Sequence, residues 1–315
     1  MLSSLVLAPA GLATDPPAAS GSLAVFVLAG QSNMEGQGVV DLDHPEHYNG
    51  GRGTLEYVMA APGAGDRYDH LRNTDGTWVV RDDVFVRFQT RHGLKAGGLS
   101  IGFAGYEGKH HIGPEFQFGH VVGEAIAEPV LLIKTAWGGK SLFKDFRPPS
   151  SGGDTGPYYE RMLLEIDEAL AVMATEFPAL AGRRPVIRGF VWQQGWNDMV
   201  DATARAEYED NLVNLILDVR TALKSPDLPV VIGELGNDGE NAGPPMRELR
   251  AAQVAATSRP EVGDAVRFVK TTAFARPAQE SPNTGHGHHW YGNAESYFLI
   301  GDALARAMLE LLPKK

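Results

Sequence analysis

The 315-residue chain contains no cysteine. That absence removes thiol nucleophiles, disulfide staples and thiolate metal ligands together. It leaves the compartment open, because a chain this long builds a sufficient core without disulfides even when secreted. Basic residues are also scarce: 28 Lys and Arg stand against 39 Asp and Glu, a formal net charge of −11. No run of Lys and Arg offsets this locally, which argues against a nucleic-acid partner, since phosphates need a basic face opposite them. Long apolar runs are missing too. Nothing approaches the roughly 18 uninterrupted apolar residues of a membrane helix, so no membrane insertion is expected. There is no low-complexity tract and no internal repeat at a fixed period.

One terminal segment reads as an address. Residues 1–13 are apolar and rich in small side chains, and Thr14-Asp15-Pro16-Pro17-Ala18-Ala19 follows. This pattern matches the apolar part and cleavage region of a secretory signal without its basic start. A disordered leader or a misplaced start codon fits equally well. Export to the periplasm or medium is therefore one expectation and a cytoplasmic location the other. Residues 1–21 are set aside, leaving 22–315 as a single domain.

Five short apolar, β-branched-rich runs recur at residues 24–29, 129–135, 186–192, 230–235 and 266–271. They lack polar alternation, which predicts strands buried on both faces, as in a parallel sheet. Helical patterns lie between them, at 115–126, 158–175, 202–223, 246–257 and 293–312. In the last, Tyr297, Ile300, Leu304, Met308 and Leu311 recur at three- and four-residue steps and form one apolar stripe. Strands alternating with helices predict a three-layer α/β/α sandwich with a mainly parallel, five-stranded, flavodoxin-like sheet. A long insertion at about 38–112 interrupts the order and includes a candidate hairpin at 78–88. It leaves the carboxyl end of the first strand, where open α/β sheets bind ligands, so it is expected to shape a substrate groove. The blander alternative is a peripheral embellishment.

The first strand ends in Leu28-Ala29-Gly30-Gln31-Ser32-Asn33-Met34. A serine there, beside a glycine that permits a tight turn, is placed for nucleophilic attack, or simply to cap a helix. Gly30-Gln31-Ser32-Asn33-Met34 resembles the nucleophile block of SGNH hydrolases, in the form found in sialate O-acetylesterase-like proteins and carbohydrate esterase family six. The resemblance continues in order through three further segments. Ile133-Lys134-Thr135-Ala136-Trp137-Gly138-Gly139 resembles the second block. Trp192-Gln193-Gln194-Gly195-Trp196-Asn197-Asp198 resembles the Gly-x-Asn-Asp block. His289-Trp290-Tyr291-Gly292-Asn293-Ala294 leads into the last helix, where the family keeps its catalytic histidine.

The resemblance implies a serine esterase that removes acetyl groups from sugars or polysaccharides, of acetylxylan or sialate O-acetylester type, without cofactor or metal. Ser32 would attack and His289 would act as base, since a serine hydroxyl is a poor nucleophile unaided. His286 and His288 lie beside His289 and would be rim or binding residues. The oxyanion would meet the N–H groups of Ser32 and of Gly138 or Gly139 and the amide of Asn197, with Gln194 as second choice. Each such donor is worth about 2.7–4 kcal/mol. Gln31, Trp196, His288 and Trp290 are candidate substrate contacts, and Trp137, Trp196, Trp290 and Tyr291 are expected to form either a sugar-stacking platform or part of the core.

The acid partner departs from the family pattern. The position three before the histidine, often aspartate, is His286, and a glutamate of the third block is replaced by Trp196. Asp198 is the first candidate and Glu115 the alternative, whose simpler role is to complement a helix dipole. A backbone carbonyl orienting the ring would leave a dyad. Activity is expected to rise as His289 loses its proton between about pH 5 and 8. Three other readings stay open. They are a carbohydrate-binding domain with little or no catalysis, a short-chain esterase for non-sugar esters, and metal-dependent hydrolysis at the histidine cluster.

Overall fold

The computed structural model describes residues 21–313. The expected leader therefore lies, except for Gly21, outside the described residues. β1 (Ser22–Gly30) runs into a four-residue helix, α1 (Ser32–Glu35). The segment read as an insertion holds β2 (Gly38–Val39), α2 (Leu55–Ala60), β3 (Val84–Thr90), β4 (Gly93–Gly98) and β5 (His111–Ile112). Helix α3 (Glu115–Ala125), β6 (Val130–Ala136), α4 (Pro157–Glu176) and β7 (Arg184–Gln193) come next. The chain continues with α5 (Trp196–Met199), α6 (Ala202–Ala222), β8 (Val230–Gly233), α7 (Pro244–Thr257), β9 (Val266–Val269) and α8 (Ala294–Leu311).

The main sheet has the order β4-β3-β6-β1-β7-β8-β9. Every neighbouring pair is parallel except the β3–β4 hairpin. The α/β class and its three layers are as expected, and each of the five runs read as strands is one. The strand count is corrected from five to seven, because the inserted segment contributes β3 and β4.

Alternation along β1 explains the unpatterned apolar run. Leu23, Val25, Val27 and Ala29 face a core shared with Tyr159 and Met162 of α4, Leu212 of α6 and Leu249 of α7. Ala24, Phe26 and Leu28 face the other core, with Phe116 and Phe118 of α3 and Tyr297 and Leu304 of α8. Helices cover both faces of the central strand, so neither face has to be polar.

The hairpin lies later in the chain than residues 78–88. Its turn at Arg91-His92 carries no Asn-Gly or Asp-Gly signal, and the chain reverses with Gly93 at φ +121. Strand β3 also carries Arg87, which disguises it as solvent-facing. Arg87 is buried against the sheet because Glu176 of α4 holds its guanidinium at 2.8 Å. The two ends of the inserted segment are joined by a short antiparallel ladder, Gly38 opposite Ile112 and Val39 opposite His111.

A buried ion pair ties these parts together. Lys134 on β6 and Glu115 at the start of α3 meet at 2.7 Å, both side chains fully buried. The ammonium also donates to the carbonyls of Phe103 (2.7 Å) and Glu35 (3.1 Å), and Glu115 accepts from the Gly113 N–H (3.0 Å). Burial pulls the lysine below its ordinary pKa, opposed by the carboxylate of Glu115. All three ammonium protons thus have acceptors, the condition under which such a pair is tolerated.

Lys134→Met should cost about 3–5 kcal/mol of unfolding free energy, because it strands the Glu115 carboxylate in the interior. Denaturant titration measures this. The double variant Lys134→Met/Glu115→Leu should recover most of the loss, and equal losses in both would contradict the account.

Candidate active site

The carboxyl end of β1 meets that of β7 at Gly30. Its φ is +153, and a Cβ there would stand 2.2 Å from the Gln193 carbonyl oxygen, so the position admits only glycine. The next residue, Gln31, is thereby carried onto the segment after β7. Its Oε1 accepts from the Gly195 N–H (3.1 Å) and the Asn197 N–H (3.5 Å). Its Nε2 donates to Asn197 Oδ1 (3.0 Å). Because Gln31 Oε1 is held by backbone donors, Nε2 has to be the end facing Asn197. The Asn197 Nδ2 group is left free as a donor.

Ser32 opens α1, where a first-turn N–H has no intrahelical acceptor. It lines a cleft of about 500 Å³ together with Gln31, Gly138, Gly139, Asn197 and His289. The glycines follow β6, the neighbour of β1, and the Trp137 N–H bonds to the Gly30 carbonyl (3.1 Å). Strand pairing thus brings the serine, the paired glycines and Asn197 to one edge. Among the described residues, neither the Ser32 hydroxyl nor the His289 ring is hydrogen-bonded to another protein group.

The histidine arrives on a constrained loop. Trp290 and Tyr291 both sit in the left-handed region, φ +53 and +54, a conformation costing about 1–2 kcal/mol per non-glycine residue. Backbone bonds from His289 and Tyr291 to the His286 carbonyl (2.9 and 3.0 Å) hold the turn. Asn33, next to Ser32, donates to the His288 carbonyl (3.2 Å) and accepts from the Tyr297 hydroxyl (2.8 Å). That hydroxyl lies 3.2 Å from the His289 carbonyl. The serine turn and the histidine loop are therefore fastened to each other by buried groups. The His288 ring lies 4.0 Å from that of His289, and His286 is 6.3 Å from it. Burial, reinforced by His288 and His286, pushes the His289 imidazole down to about 4.

Several expected roles change. Asp198 is not turned toward His289. Its Oδ1 accepts from the Phe143 N–H (2.8 Å), and its Oδ2 accepts from the Leu142 N–H (2.9 Å) and Gln194 Nε2 (2.5 Å). Burial raises its carboxyl to about 6, while these donors pull the other way. Asp198 staples the loop after Gly139 and does not orient the histidine. Gln194 is spent likewise, donating to Asp198 and the Lys140 carbonyl and accepting from Tyr208, so no amide remains for an oxyanion. Glu115 is committed to Lys134, and among the described residues no ion pair involves His289. Gln31 buttresses Asn197 with its amide instead of offering it to a ligand. Trp290 is turned into the core and is only 2% exposed. Trp196, His288 and Trp137 do line the cleft, and Tyr291 borders a different hollow, beside Asp238 and Arg276. No group of three His, Cys, Asp or Glu side chains among the described residues is arranged to hold a metal ion.

The cleft also contains residues that sequence reasoning missed: Glu35, Gln37, Arg91, Tyr106, Lys140 and Tyr158. Glu35 was within reach of sequence analysis, since three residues after Ser32 on a helix places it on nearly the same face. Arg91 and Tyr106 come from the inserted segment, and no local pattern foretells which of its residues face inward. Lys140 lies over the Tyr158 ring at 4.4 Å, and Tyr158 packs edge-on to Trp137 at 5.2 Å. One carboxylate and two permanently charged cations, Arg91 and Lys140, thus line a cleft on a strongly acidic protein.

Comparison with known proteins adds a family. Residues 22–310 match the family model described as carbohydrate esterase, sialic acid-specific acetylesterase. No curated protein sequence gives a significant match. Among solved structures, a protein from Arabidopsis thaliana is 17% identical, with 92% of this chain and 99% of that one covered and a TM-score of 0.57. NanS is 14% identical, with coverage of 92% and 97% and a TM-score of 0.57. A carbohydrate acetylesterase from Xanthomonas citri is 16% identical, with 91% of this chain and 56% of that one covered and a TM-score of 0.52. At such identities the likeness is one of fold.

The His289 ring should titrate near pH 4, well below an ordinary histidine. Ring-proton chemical shifts followed by NMR measure this directly, and a midpoint near 6.5 would contradict the environment described.

Proposed function

Because the chain belongs to the sialic acid-specific acetylesterase family of carbohydrate esterases, we propose that it removes acetyl groups from sugars or polysaccharides through an acyl-serine at Ser32. The observation that carries the reading is the meeting of Ser32, His289, Gly139 and the free amide of Asn197 in one cleft.

Ser32 Oγ attacks the acetyl carbonyl and its proton passes to the neutral imidazole of His289. Negative charge collects on the former carbonyl oxygen, where the N–H groups of Ser32 and of Gly138 or Gly139 and the Asn197 Nδ2 group serve as donors. Collapse of this intermediate expels the sugar oxygen, which takes the proton from His289, and leaves acetyl-Ser32. Water, deprotonated by the same histidine, then releases acetate. His289 works without a carboxylate partner. The bonds from Asn33 to the loop, and the backbone bonds to His286, fix its position in place of an acid. Trp196, His288 and Tyr158 form the walls against which the sugar packs, and residues 22–315 act as one esterase domain. Among the described residues no helix is long and apolar enough to cross a membrane.

Acetate release from acetylated xylan and from O-acetylated sialic acid should be abolished in Ser32→Ala, a loss of several orders of magnitude. A variant that keeps its activity would remove Ser32 from the mechanism. A wild type that binds acetylated sugars without turnover would favour a binding domain, and a preference for longer acyl chains a non-sugar esterase.

The pH dependence expected from an ordinary histidine is revised by the burial of His289. A base with its pKa lowered to about 4 is neutral above that pH and protonated below it. The profile of kcat/KM should therefore be flat from about pH 5 to 8 and fall on the acid side near pH 4. An acid limb centred near 6.5 would show that another group is the base.

A further inference from the structure

One acidic side chain lines the cleft, and the acyl-transfer steps make no use of it. Glu35 ends α1, whose first residue is Ser32. Its side chain lies between two glycines. A Cβ on Gly138 would stand 2.9 Å from Glu35 Oε2 and 3.5 Å from Ser32 Cβ, and one on Gly105 would stand 3.4 Å from Oε2. The carboxylate is thus held beside both the nucleophile and the glycine pair. A side chain at Gly138 would displace it.

This carboxylate is short of partners. A carboxylate has about four acceptor positions, and among the described residues the Gly138 N–H is the one donor directed at the Glu35 carboxylate. Two buried carboxylates elsewhere in the protein are better supplied. Asp198 accepts three donors, and Glu234 Oε2 accepts the Thr271 N–H, the Thr272 N–H and the Thr272 hydroxyl at 2.7–2.8 Å. The nearest buried cation, Lys134, gives its protons to Glu115 and to two carbonyls. Among the described residues no ion pair includes Glu35.

Water reaches those positions while the cleft is open, and a ligand that displaces it has to bring a donor of its own. An acetyl group ends in a methyl and offers none, so the donor belongs to the alcohol half of the ester. In a sugar, the group that follows the ester-bearing carbon is the neighbouring hydroxyl. We propose that Glu35 determines specificity by accepting a hydrogen bond from a free sugar hydroxyl adjacent to the acetyl ester. This deepens the reading of the preceding subsection and rests on it. The enzyme then selects partly acetylated sugars over fully acetylated ones and over esters of simple alcohols. The same contact serves the chemistry. A bare carboxylate beside the Gly138 N–H opposes charge building on the nearby carbonyl oxygen. A hydroxyl donated to the carboxylate offsets part of that field and leaves the N–H to the oxyanion.

The test compares two esters: a methyl xyloside monoacetate with a free adjacent hydroxyl, and the same ester with that hydroxyl replaced by hydrogen. Wild type should favour the first in kcat/KM by about tenfold or more, as hydrogen bonds to charged groups do in discriminating sites. In Glu35→Gln the preference should shrink to within about threefold, with the melting temperature checking that the variant is folded. Equal rates on the two esters by wild type would overturn the role of Glu35 while leaving the esterase reading intact. So would an undiminished preference in Glu35→Gln, or an equal fall on both esters. Failure of wild type to cleave either ester, or any acetylated sugar, would instead overturn the esterase reading and this inference with it. The wild-type comparison decides even if the variant does not fold.

Discussion

The buried pair of Lys134 and Glu115 is the constraint on which the rest of the site depends. An ammonium in an apolar interior is stable only if every proton finds an acceptor. Lys134 meets that condition by drawing together four separate pieces of chain. It takes the first turn of α3 through Glu115, the inserted segment through the Phe103 carbonyl, and the nucleophile helix through the Glu35 carbonyl. The fourth is its own strand, which ends two residues later and leads into Trp137-Gly138-Gly139. The Ser32 helix is thus tied from beneath to the strand that carries the paired glycines, and the inserted wall of the cleft is pulled in beside it.

A second set of buried bonds fixes the histidine. Many serine hydrolases use a carboxylate to hold the imidazole, and here the two acids that lie near the blocks are occupied elsewhere. Asp198 closes the loop at residues 142–143, and Glu115 neutralises a lysine. What remains is backbone geometry. Two consecutive left-handed residues, fastened through Asn33 and Tyr297, carry the His289 turn to the serine. The strain of that turn is offset by hydrogen bonds made only when the loop is in place, so position is secured without an added charge. The His289 imidazole stays neutral over the whole physiological range. Its burial, more than any partner, sets its proton affinity.

The charges of the cleft work against the protein's overall sign. A net charge of −11 repels anions at long range, while Arg91 and Lys140 line the cleft with a single carboxylate between Gly105 and Gly138. A ligand approaching Ser32 thus meets donors and cations on the walls and one acceptor at the nucleophile.

How much of this was legible in the sequence follows from where each signal resides. The five buried strands, the helices between them, the serine at the end of the first strand and the glycine pair after the β6 segment are all local. Apolar runs of strand length, period-three-to-four stripes and turn glycines reflect backbone preferences that act within a few residues. The order of the four motifs was equally plain, and with it the family. The hairpin β3–β4 escaped because Arg87 is neutralised from a distant helix and its turn lacks a standard signal. Asp198 and Gln194 looked catalytic by position, yet their hydrogen bonds are decided by a loop more than fifty residues earlier in the chain. Trp290, a candidate substrate contact, proved to be packed into the core. By itself, then, the sequence determined the layers, the strands of the central sheet and the family, and it named the candidate reacting groups. Only the tertiary structure decided which polar side chains are free to react and which are already bound. The reason is physical: a side chain's availability depends on partners brought to it by folding, and those partners leave no mark at its own position.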